Sequence, residues 1–460
     1  MYTMRASQVS RFVSLALAAS AAAASGQVAF AQEADAANDL EEVVVTTARQ
    51  RAEALKDVPA SITAITADTL EAAAVDRAGD FIRLTPGVSL VQTAEVADAQ
   101  VNIRGINGAR DAENSFALII DGVLQTNPAA FNREYADLQQ VEVVKGPQGA
   151  IYGRNAAAGA IIVTTTKPAK TFSGKVQLGY GEDSTQTGAL VLSGPLSDSA
   201  GWKIAADYRK TDGFFKNTFV NKNNVDDFEG WNLNARVIFE PSDSSTLDIK
   251  AHYGEVEAAS ISFNANFLAA TLAGILNNPL LNEDVNQHKF TFVNQIDPYN
   301  NQEALDLSVK WDQELSFGKL TAWGLYSDIQ NDFGSDGTSA TYGFFWGEPT
   351  CQSSLTATPP NGVRGFTAPA PQFYGATPAG SVLGPYTATS CDGTQYQVRN
   401  QKDYSFEVRL ASSGDDRLRW LGGLYYLNID REVGISTGIE NAGRVIPQLF
   451  IPRGSPNATE

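Results

Sequence analysis

The sequence predicts a small α+β domain at the N-terminus, followed by an antiparallel transmembrane β-barrel. Two observations support this fold class. Residues 141–168 read as a hydrophobic strand, a glycine-rich turn and a second strand rich in β-branched side chains. From residue 172 onward, apolar and polar side chains alternate with a period of two, which is typical of strands with one apolar and one polar face. A chain of 460 residues is also expected to hold more than one domain.

The N-terminus predicts export. Arg5 and Arg11 precede an apolar run over residues 12–24, and residues 29–31 (Ala-Phe-Ala) have the spacing of a secretory cleavage site. A membrane anchor is the alternative, but the run is too short to cross ~30 Å of hydrocarbon at ~1.5 Å per residue. We therefore predict a signal peptide over residues 1–31. No later segment approaches the ~18 apolar residues of a spanning helix, so strands would have to make any membrane crossing.

Composition and motifs argue against several classes of function. A net charge of −18 and a pI near 4.6 disfavour nucleic-acid binding, which relies on Lys and Arg meeting phosphates. His252 and His288 are the two histidines, and with two cysteines they form no convincing zinc or haem ligand set. Residues 145–149 lack the Gly-Lys-Ser/Thr ending of a phosphate-binding loop, and the chain has no Gly-x-Ser-x-Gly nucleophile motif. We therefore predict no catalytic residues, no metal, no cofactor and no nucleic-acid partner.

Cys351 and Cys391 lie in one long polar stretch over residues 331–402. Because an exported chain meets an oxidising compartment, we predict a disulfide between them, with two unrelated free thiols as the alternative. On the entropic view, closing a ~40-residue loop would restrict the unfolded chain by about 3–4 kcal/mol. Such a bond would hold a surface loop in shape.

The alternating segments have the dimensions of membrane-spanning strands. Eight residue steps from Trp231 to Phe239 span ~26 Å, or ~20 Å vertically at a tilt near ~40°, which fits an apolar band bounded by aromatic girdles. The same alternation recurs over residues 202–209, 247–253, 305–312 and 404–410. A soluble β-sandwich, which also alternates, is the alternative. About nine strands are expected over residues 171–460.

Loop lengths predict the orientation of these strands. Short turns are expected at residues 194–201, 240–245, 314–319 and 412–417. They alternate with long connections at residues 211–230, 257–302 and 331–402. Outer-membrane barrels place short turns in the periplasm and long loops outside. The alternation of short and long connections therefore predicts which end of each strand faces the periplasm. A soluble sandwich has no reason for such asymmetry.

The N-terminal domain carries a set of glycine-rich motifs. The motif residues are Arg104, Gly105, Asp121, Gly122, Gly146, Pro147, Gly149, Tyr152, Gly153 and Arg154. Over residues 58–168 the chain resembles the plug domain of the TonB-dependent outer-membrane receptors, with Ala158-Gly159-Ala160 where paired glycines are usual. The resemblance implies a barrel of about 22 strands around the plug. A barrel of eight to ten strands has an interior filled by side chains, so this chain is expected to hold a plug and the first part of a barrel.

Residues 41–47, Glu-Glu-Val-Val-Val-Thr-Thr, lie in a segment, residues 32–57, that is expected to be flexible. Taken alone, such a β-branched run is more often a buried strand. Its position before the plug resembles the TonB box, which could add as a strand to the edge of another protein's sheet. The resemblance implies TonB, powered through ExbB and ExbD, as the partner of Glu42, Val43, Val44, Val45, Thr46 and Thr47.

The resemblance implies a receptor in the outer membrane, in contact with its lipids, that imports a scarce nutrient. Ligand is expected on two upper plug loops, residues 107–115 and 125–133, through Asn107, Arg110, Asp111, Glu113, Phe131 and Arg133; solvation explains polar loop tips equally well. Arg104 and Arg154 are expected to pair with carboxylates of the barrel wall, or to be ordinary solvated arginines. A ferric siderophore is the family's commonest substrate, ahead of cobalamin, haem and oligosaccharides. A passive porin or a surface-binding protein is the rival function.

Overall fold

The computed structural model describes two main stretches of the chain, residues 60–336 and 394–441. Gaps within them fall at residues 76, 93–95, 97–98, 109–112, 218–220, 261–269, 413–417 and 439, and over most of 278–297. A few residues outside these stretches are also described, at 44–45, 53–55, 58 and 444–445. The predicted signal peptide, Cys351 and Cys391 lie outside the described residues.

The N-terminal domain is built on a five-stranded mixed sheet. Its strands lie in the order β3-β8-β9-β6-β7, and only β6 and β9 are parallel neighbours. Two further strands, β4 and β5, form a separate antiparallel pair. The strands are β3 (Ser61–Thr66), β4 (Val88–Gln92), β5 (Ala99–Ile103), β6 (Phe116–Ile120), β7 (Val123–Leu124), β8 (Leu138–Lys145) and β9 (Gly159–Thr165).

Short helices cover this sheet. They are α1 (Ala67–Ala72), α2 (Ala78–Arg83), a 3-10 helix at Pro128–Phe131 and α3 (Gly149–Tyr152). Leu70 of α1 and Phe81 of α2 are buried against the sheet. Phe81, Phe116 and Phe131 meet edge to face at the centre of the core, with ring centroids 6.0 and 5.0 Å apart. Within the described residues, no helix is long and apolar enough to cross a bilayer.

Two glycines are required by the backbone. A side chain on Gly159 would place its Cβ 2.1 Å from the carbonyl oxygen of Val144, so β8 and β9 could not pair as they do. Gly122 has a φ of +85° and follows Asp121, which has a φ of +49°, in the turn between β6 and β7. In this turn the Asp121 carboxylate reaches Thr165 at the end of the neighbouring strand β9.

The rest of the described chain forms one antiparallel sheet of nine strands in sequential order. The strands are β10 (Ser173–Tyr180), β11 (Gln186–Ser197), β12 (Ala200–Thr211), β13 (Phe228–Ser242), β14 (Ser245–Ala258), β15 (Tyr299–Leu315), β16 (Gly318–Asp336), β17 (Thr394–Ser412) and β18 (Leu421–Gly438). A helix, α4 (Ala270–Leu276), lies between β14 and β15. Short pairs join β1 (Val44–Val45) to β2 (Glu53–Ala54) and β19 (Glu440–Asn441) to β20 (Arg444–Val445). The nine strands confirm the predicted fold class.

The two faces of the nine-stranded sheet have different environments, as the alternation predicts. On β12, Lys203 and Ala205 are buried, whereas Ile204 between them is 38% exposed. The buried face lies against the N-terminal domain. Trp323 and Leu325 of β16 share a buried cluster with Ile119 and other side chains of the N-terminal sheet. The sheet is therefore a wall, and the N-terminal domain is the plug that it encloses.

Candidate functional site

The plug is tied to the wall by buried charges, first of all at Asp121. Its carboxylate accepts hydrogen bonds from the backbone N and the Oγ1 of Thr165, both at 2.8 Å. It forms an ion pair with Lys250 of β14, and Arg236 of β13 places Nη1 3.6 Å from its Oδ1. The side chain is 2% exposed. The β6–β7 turn thus delivers a carboxylate to two cations of the wall.

Arg236 links the Asp121 contact to Asp248 on the next strand of the wall and to the end of β9. Its Nε and Nη2 donate to the two oxygens of Asp248, at 3.0 and 2.7 Å. Its Nη1 donates to the carbonyl oxygens of Thr165 and Thr166, at 3.2 and 3.0 Å. All three nitrogens of the guanidinium therefore donate hydrogen bonds, and Nε and Nη2 form a parallel fork with Asp248.

A second buried ion pair lies beside the first. Lys203 of β12 pairs with Asp137 of the plug, and their side chains are 2% and 4% exposed. Three wall cations on consecutive strands therefore face two plug carboxylates and one wall carboxylate. We call this set the buried clamp: Asp121, Asp137, Lys203, Arg236, Asp248 and Lys250.

The protonation state of Asp121 follows from its partners. Burial alone would raise the pKa of this carboxyl, but the charges of Lys250 and Arg236 hold the pKa well below its ordinary range. The carboxylate is therefore ionised at neutral pH.

The plug loop over residues 125–133 is held at both ends. Thr126 donates its hydroxyl to Asp403 of β17, and Arg133 pairs with Asp306 of β15. His252 of β14 places Nδ1 3.4 Å from Oδ2 of the same Asp306. All of these side chains are buried. The loop is fixed between two wall carboxylates.

Glu113 is the corresponding anchor of the other plug loop, residues 107–115. Its Oε1 accepts from Nη2 of Arg431 on β18 at 2.6 Å. Its Oε2 lies 3.0 Å from Nη2 of Arg154 and accepts from Nδ2 of Asn155 at 2.9 Å. Burial raises the pKa of Glu113, but the bonds from Arg431 and Asn155 outweigh it and lower the pKa below its ordinary value. Glu113 thus bridges plug and wall.

Neither motif arginine pairs with a wall carboxylate among the described residues, and Arg104 matches the alternative of a solvated arginine. Arg154 pairs with Glu113, a plug carboxylate, where we expected a wall carboxylate. Arg104 is exposed and has a φ of +52°. Its backbone N donates to the Gly87 oxygen at 3.2 Å, and no ion pair of Arg104 occurs among the described residues. Sequence spacing could not distinguish a plug partner from a wall partner, because both are distant in the chain.

The remaining predicted site residues are scattered. Asn107 is exposed, whereas Phe131 is 1% exposed in the plug core. Arg110 and Asp111 lie outside the described residues. Within residues 41–47, the described pair Val44–Val45 forms a short antiparallel ladder with Glu53–Ala54. The wall residues of the clamp were not predicted as site residues; their one signal was charge on the inward face of alternating strands.

A cavity of about 540 Å³ opens between the plug and the wall. Its wall side is formed by the short turn between β10 and β11 and by the ends of β12, β13 and β14 that carry the long connections. By the parity of outer-membrane barrels, this is the extracellular end. Arg77, Arg83 and Val91 contribute from the plug, and Arg209 and Phe214 from the wall. Arg83 is 68% exposed, and its Nη1 lies 3.4 Å from Oδ1 of Asp80.

Comparison with known proteins identifies the plug. A sequence profile of the TonB-dependent Receptor Plug Domain family matches residues 54–160. The Pesticin receptor of Yersinia pestis is 29% identical over 157 residues, or 34% of this chain and 23% of that receptor. The Vitamin B12 transporter BtuB of Vibrio vulnificus is 32% identical over 179 residues, or 38% of this chain and 28% of that transporter. The chain thus spans under a third of each of these curated relatives.

Solved structures share the fold of the plug and the wall together. The ferric yersiniabactin uptake receptor FyuA from Yersinia pestis superposes with a TM-score of 0.60 at 17% identity, over 82% of this chain and 49% of that receptor. The ferripyoverdine receptor of the outer membrane of Pseudomonas aeruginosa superposes with a TM-score of 0.61 at 16% identity, over 89% and 47%. At such identities the likeness concerns the fold alone. The chain spans about half the length of these receptors.

Proposed function

We propose that the chain, whose residues 54–160 match the plug domain of TonB-dependent receptors, is part of such a receptor, and that the whole protein binds a scarce nutrient outside the cell and imports it into the periplasm. The observation that carries this proposal is the buried clamp. It holds a folded domain against the wall by noncovalent contacts, among them buried ion pairs. Such a domain closes the path in its resting position and can be moved without breaking a covalent bond.

The energy would come from TonB, with ExbB and ExbD, through residues 42–47. Val44 and Val45 already pair as a strand with Glu53 and Ala54. A two-residue ladder is marginal by itself, so the segment can exchange this partner for the edge of a TonB sheet. Tension on the segment would then reach β3 of the plug, which begins at Ser61.

We propose a ferric siderophore as the substrate. The extracellular cavity is lined by carboxylates, among them Asp183, Asp226 and Asp227, but it also holds the guanidinium groups of Arg83 and Arg209. The ring of Phe214, which is 74% exposed, lies beside them. Guanidinium groups bind anionic oxygen donors, and an exposed ring offers a face to flat apolar groups. This chemistry suits an anionic iron chelate, and the two solved receptors named above are described as a ferric yersiniabactin uptake receptor and a ferripyoverdine receptor. Asn107, Arg110 and Asp111 remain proposed contacts, whereas Phe131 is left out because it is buried.

The test is uptake of labelled ferric siderophores, haem, cobalamin and oligosaccharides by the native host, with and without residues 43–47. Deletion of residues 33–37, five residues of the same segment, is the matched control. We expect loss of uptake of one ferric siderophore with its surface binding retained, and no loss in the control. Uptake of another compound would correct the substrate alone. Uptake that is unchanged for every compound would contradict energy-coupled import and favour a passive porin, and binding without any uptake would favour a surface-binding protein.

A further inference from the structure

The two plug loops, residues 107–115 and 125–133, are tied to the same small patch of the wall. The patch consists of Gln401, Asp403 and Arg431, which we call the wall triad. Gln401 and Arg431 lie directly opposite each other on β17 and β18. Asp403 follows Gln401 on the same inward face of β17, because side chains two residues apart share a face.

Each loop uses a different member of the wall triad. Glu113 of the first loop accepts from Arg431 at 2.6 Å. Thr126 at the start of the second loop donates its hydroxyl to Asp403, which is fully buried. The carbonyl oxygen of Thr126 also lies 3.5 Å from Nε2 of Gln401. The anchor of the first loop, Arg431, thus lies opposite Gln401, and the anchor of the second loop, Asp403, lies two residues further along β17.

Gln401 joins the two anchors, and both ends of its amide are in use. Its Oε1 accepts from Nε and Nη2 of Arg431, at 2.9 and 2.6 Å. Its Nε2 donates to Oδ2 of Asp403 at 2.7 Å. Turning the amide over would set its NH₂ group against a guanidinium and its oxygen against a carboxylate. Arg431 therefore fixes the orientation in which Gln401 satisfies Asp403.

We propose that the wall triad couples the two plug loops, with Gln401 as the positioning residue, so that loosening either loop loosens the other. When Glu113 leaves Arg431, the guanidinium keeps only its bonds to Gln401, and because Arg431 is 39% exposed it can exchange them for water, so that Gln401 loses the partner that orients it. Asp403 then loses a donor in a buried setting, so the carboxylate that accepts from Thr126 is no longer held in place. Coupling of this kind is reciprocal. Its role in import rests on the proposed function, since that function makes these loops the ligand surface.

The test is hydrogen–deuterium exchange of the full-length receptor in detergent, which requires no ligand. Protected amides report on each loop: Ala158 N donates to Ser115 O at 2.8 Å, and Gln125 N donates to Leu118 O at 2.9 Å. In Glu113→Ala we expect exchange at Ala158 to rise ~10-fold and exchange at Gln125 to rise ~3-fold. Glu71→Ala is the matched control, because Glu71 is another plug glutamate that pairs with a wall cation, Lys175 at 2.7 Å. It should leave both amides unchanged.

A second variant tests the route. In Gln401→Leu, which keeps the side-chain size and removes both polar ends, adding Glu113→Ala should no longer change exchange at Gln125. A Glu113→Ala variant that accelerates Ala158 and leaves Gln125 unchanged would overturn the coupling, and so would a distant effect that persists in Gln401→Leu. Because exchange is measured without substrate, a negative result here is separate from a failure of the uptake experiment.

Discussion

Two of the contacts between the plug and the wall differ clearly in burial. In the buried clamp, Asp121 and Arg236 are 2% and 5% exposed, whereas Glu113 and Arg431 at the wall triad are 32% and 39% exposed. Removing one partner from a buried ion pair leaves an uncompensated charge, which costs several-fold more than loss of a partly hydrated pair. The difference indicates a plug that is firmly held against β12–β14 and adjustable at its contact with β18.

The largest effect is expected for Asp121→Ala. The substitution leaves Lys250 and Arg236 without their plug carboxylate and the backbone N of Thr165 without its acceptor. We expect the plug to be held less tightly by about 3–5 kcal/mol. The measurement is the urea concentration at which trypsin cleaves the plug of the purified full-length receptor, which we call the plug-release midpoint.

Asp121→Asn is the matched control for charge. It keeps the size of the side chain and one acceptor for Thr165, so its plug-release midpoint should lie between those of Asp121→Ala and the unchanged receptor. A midpoint for Asp121→Ala equal to that of the unchanged receptor would show that the buried clamp does not hold the plug.

A smaller effect is expected for Leu325→Ala on β16. Leu325 is 4% exposed in the apolar cluster that wall and plug share, so truncation removes apolar contacts and leaves a cavity. Leu-to-Ala substitutions of this kind cost about 2–5 kcal/mol, and the lower part of this range is expected because an interface can close on the cavity. Leu307→Ala on the outward face of β15, where Leu307 is 45% exposed, is the control and should leave the plug-release midpoint unchanged. Equal shifts for both variants would contradict the assignment of faces.

The contrast also shows where sequence analysis succeeds. Period-two alternation predicted the faces of the wall, because the pattern lies within each strand. On β12, for example, Lys203 and Ala205 are buried and Ile204 between them is exposed. It could not predict that Asp121 meets Lys250, since that pairing depends on how two domains dock. Phe131 shows the same limit: in a polar loop it reads as a ligand contact, yet the 3-10 helix at Pro128–Phe131 turns it into the plug core.

Acid should weaken the buried clamp only at low pH. The cations around Asp121 lower its pKa in the folded state, so this carboxylate stabilises the docked plug at pH values above its unfolded pKa of about 3.9. That contribution is lost as the pH falls through the lower folded value. We expect a constant plug-release midpoint between about pH 7 and about pH 5, and a fall below about pH 4 that is weaker in Asp121→Asn. A fall above about pH 5 that Asp121→Asn abolishes would mean that the carboxyl titrates in its ordinary range or higher.

The smallest effect is expected at Glu71 on α1, whose partner Lys175 lies 2.7 Å away on β10. Both side chains are more than half exposed, at 72% and 53%, so water and salt replace the interaction when it is lost. Glu71→Gln should therefore give the same plug-release midpoint as the unchanged receptor, in low and in high salt. A clear loss of plug stability in low salt that disappears in high salt would show that this exposed pair also holds the plug. The contrast between a firm and an adjustable side would then have to be redrawn to include the β10 edge of the wall.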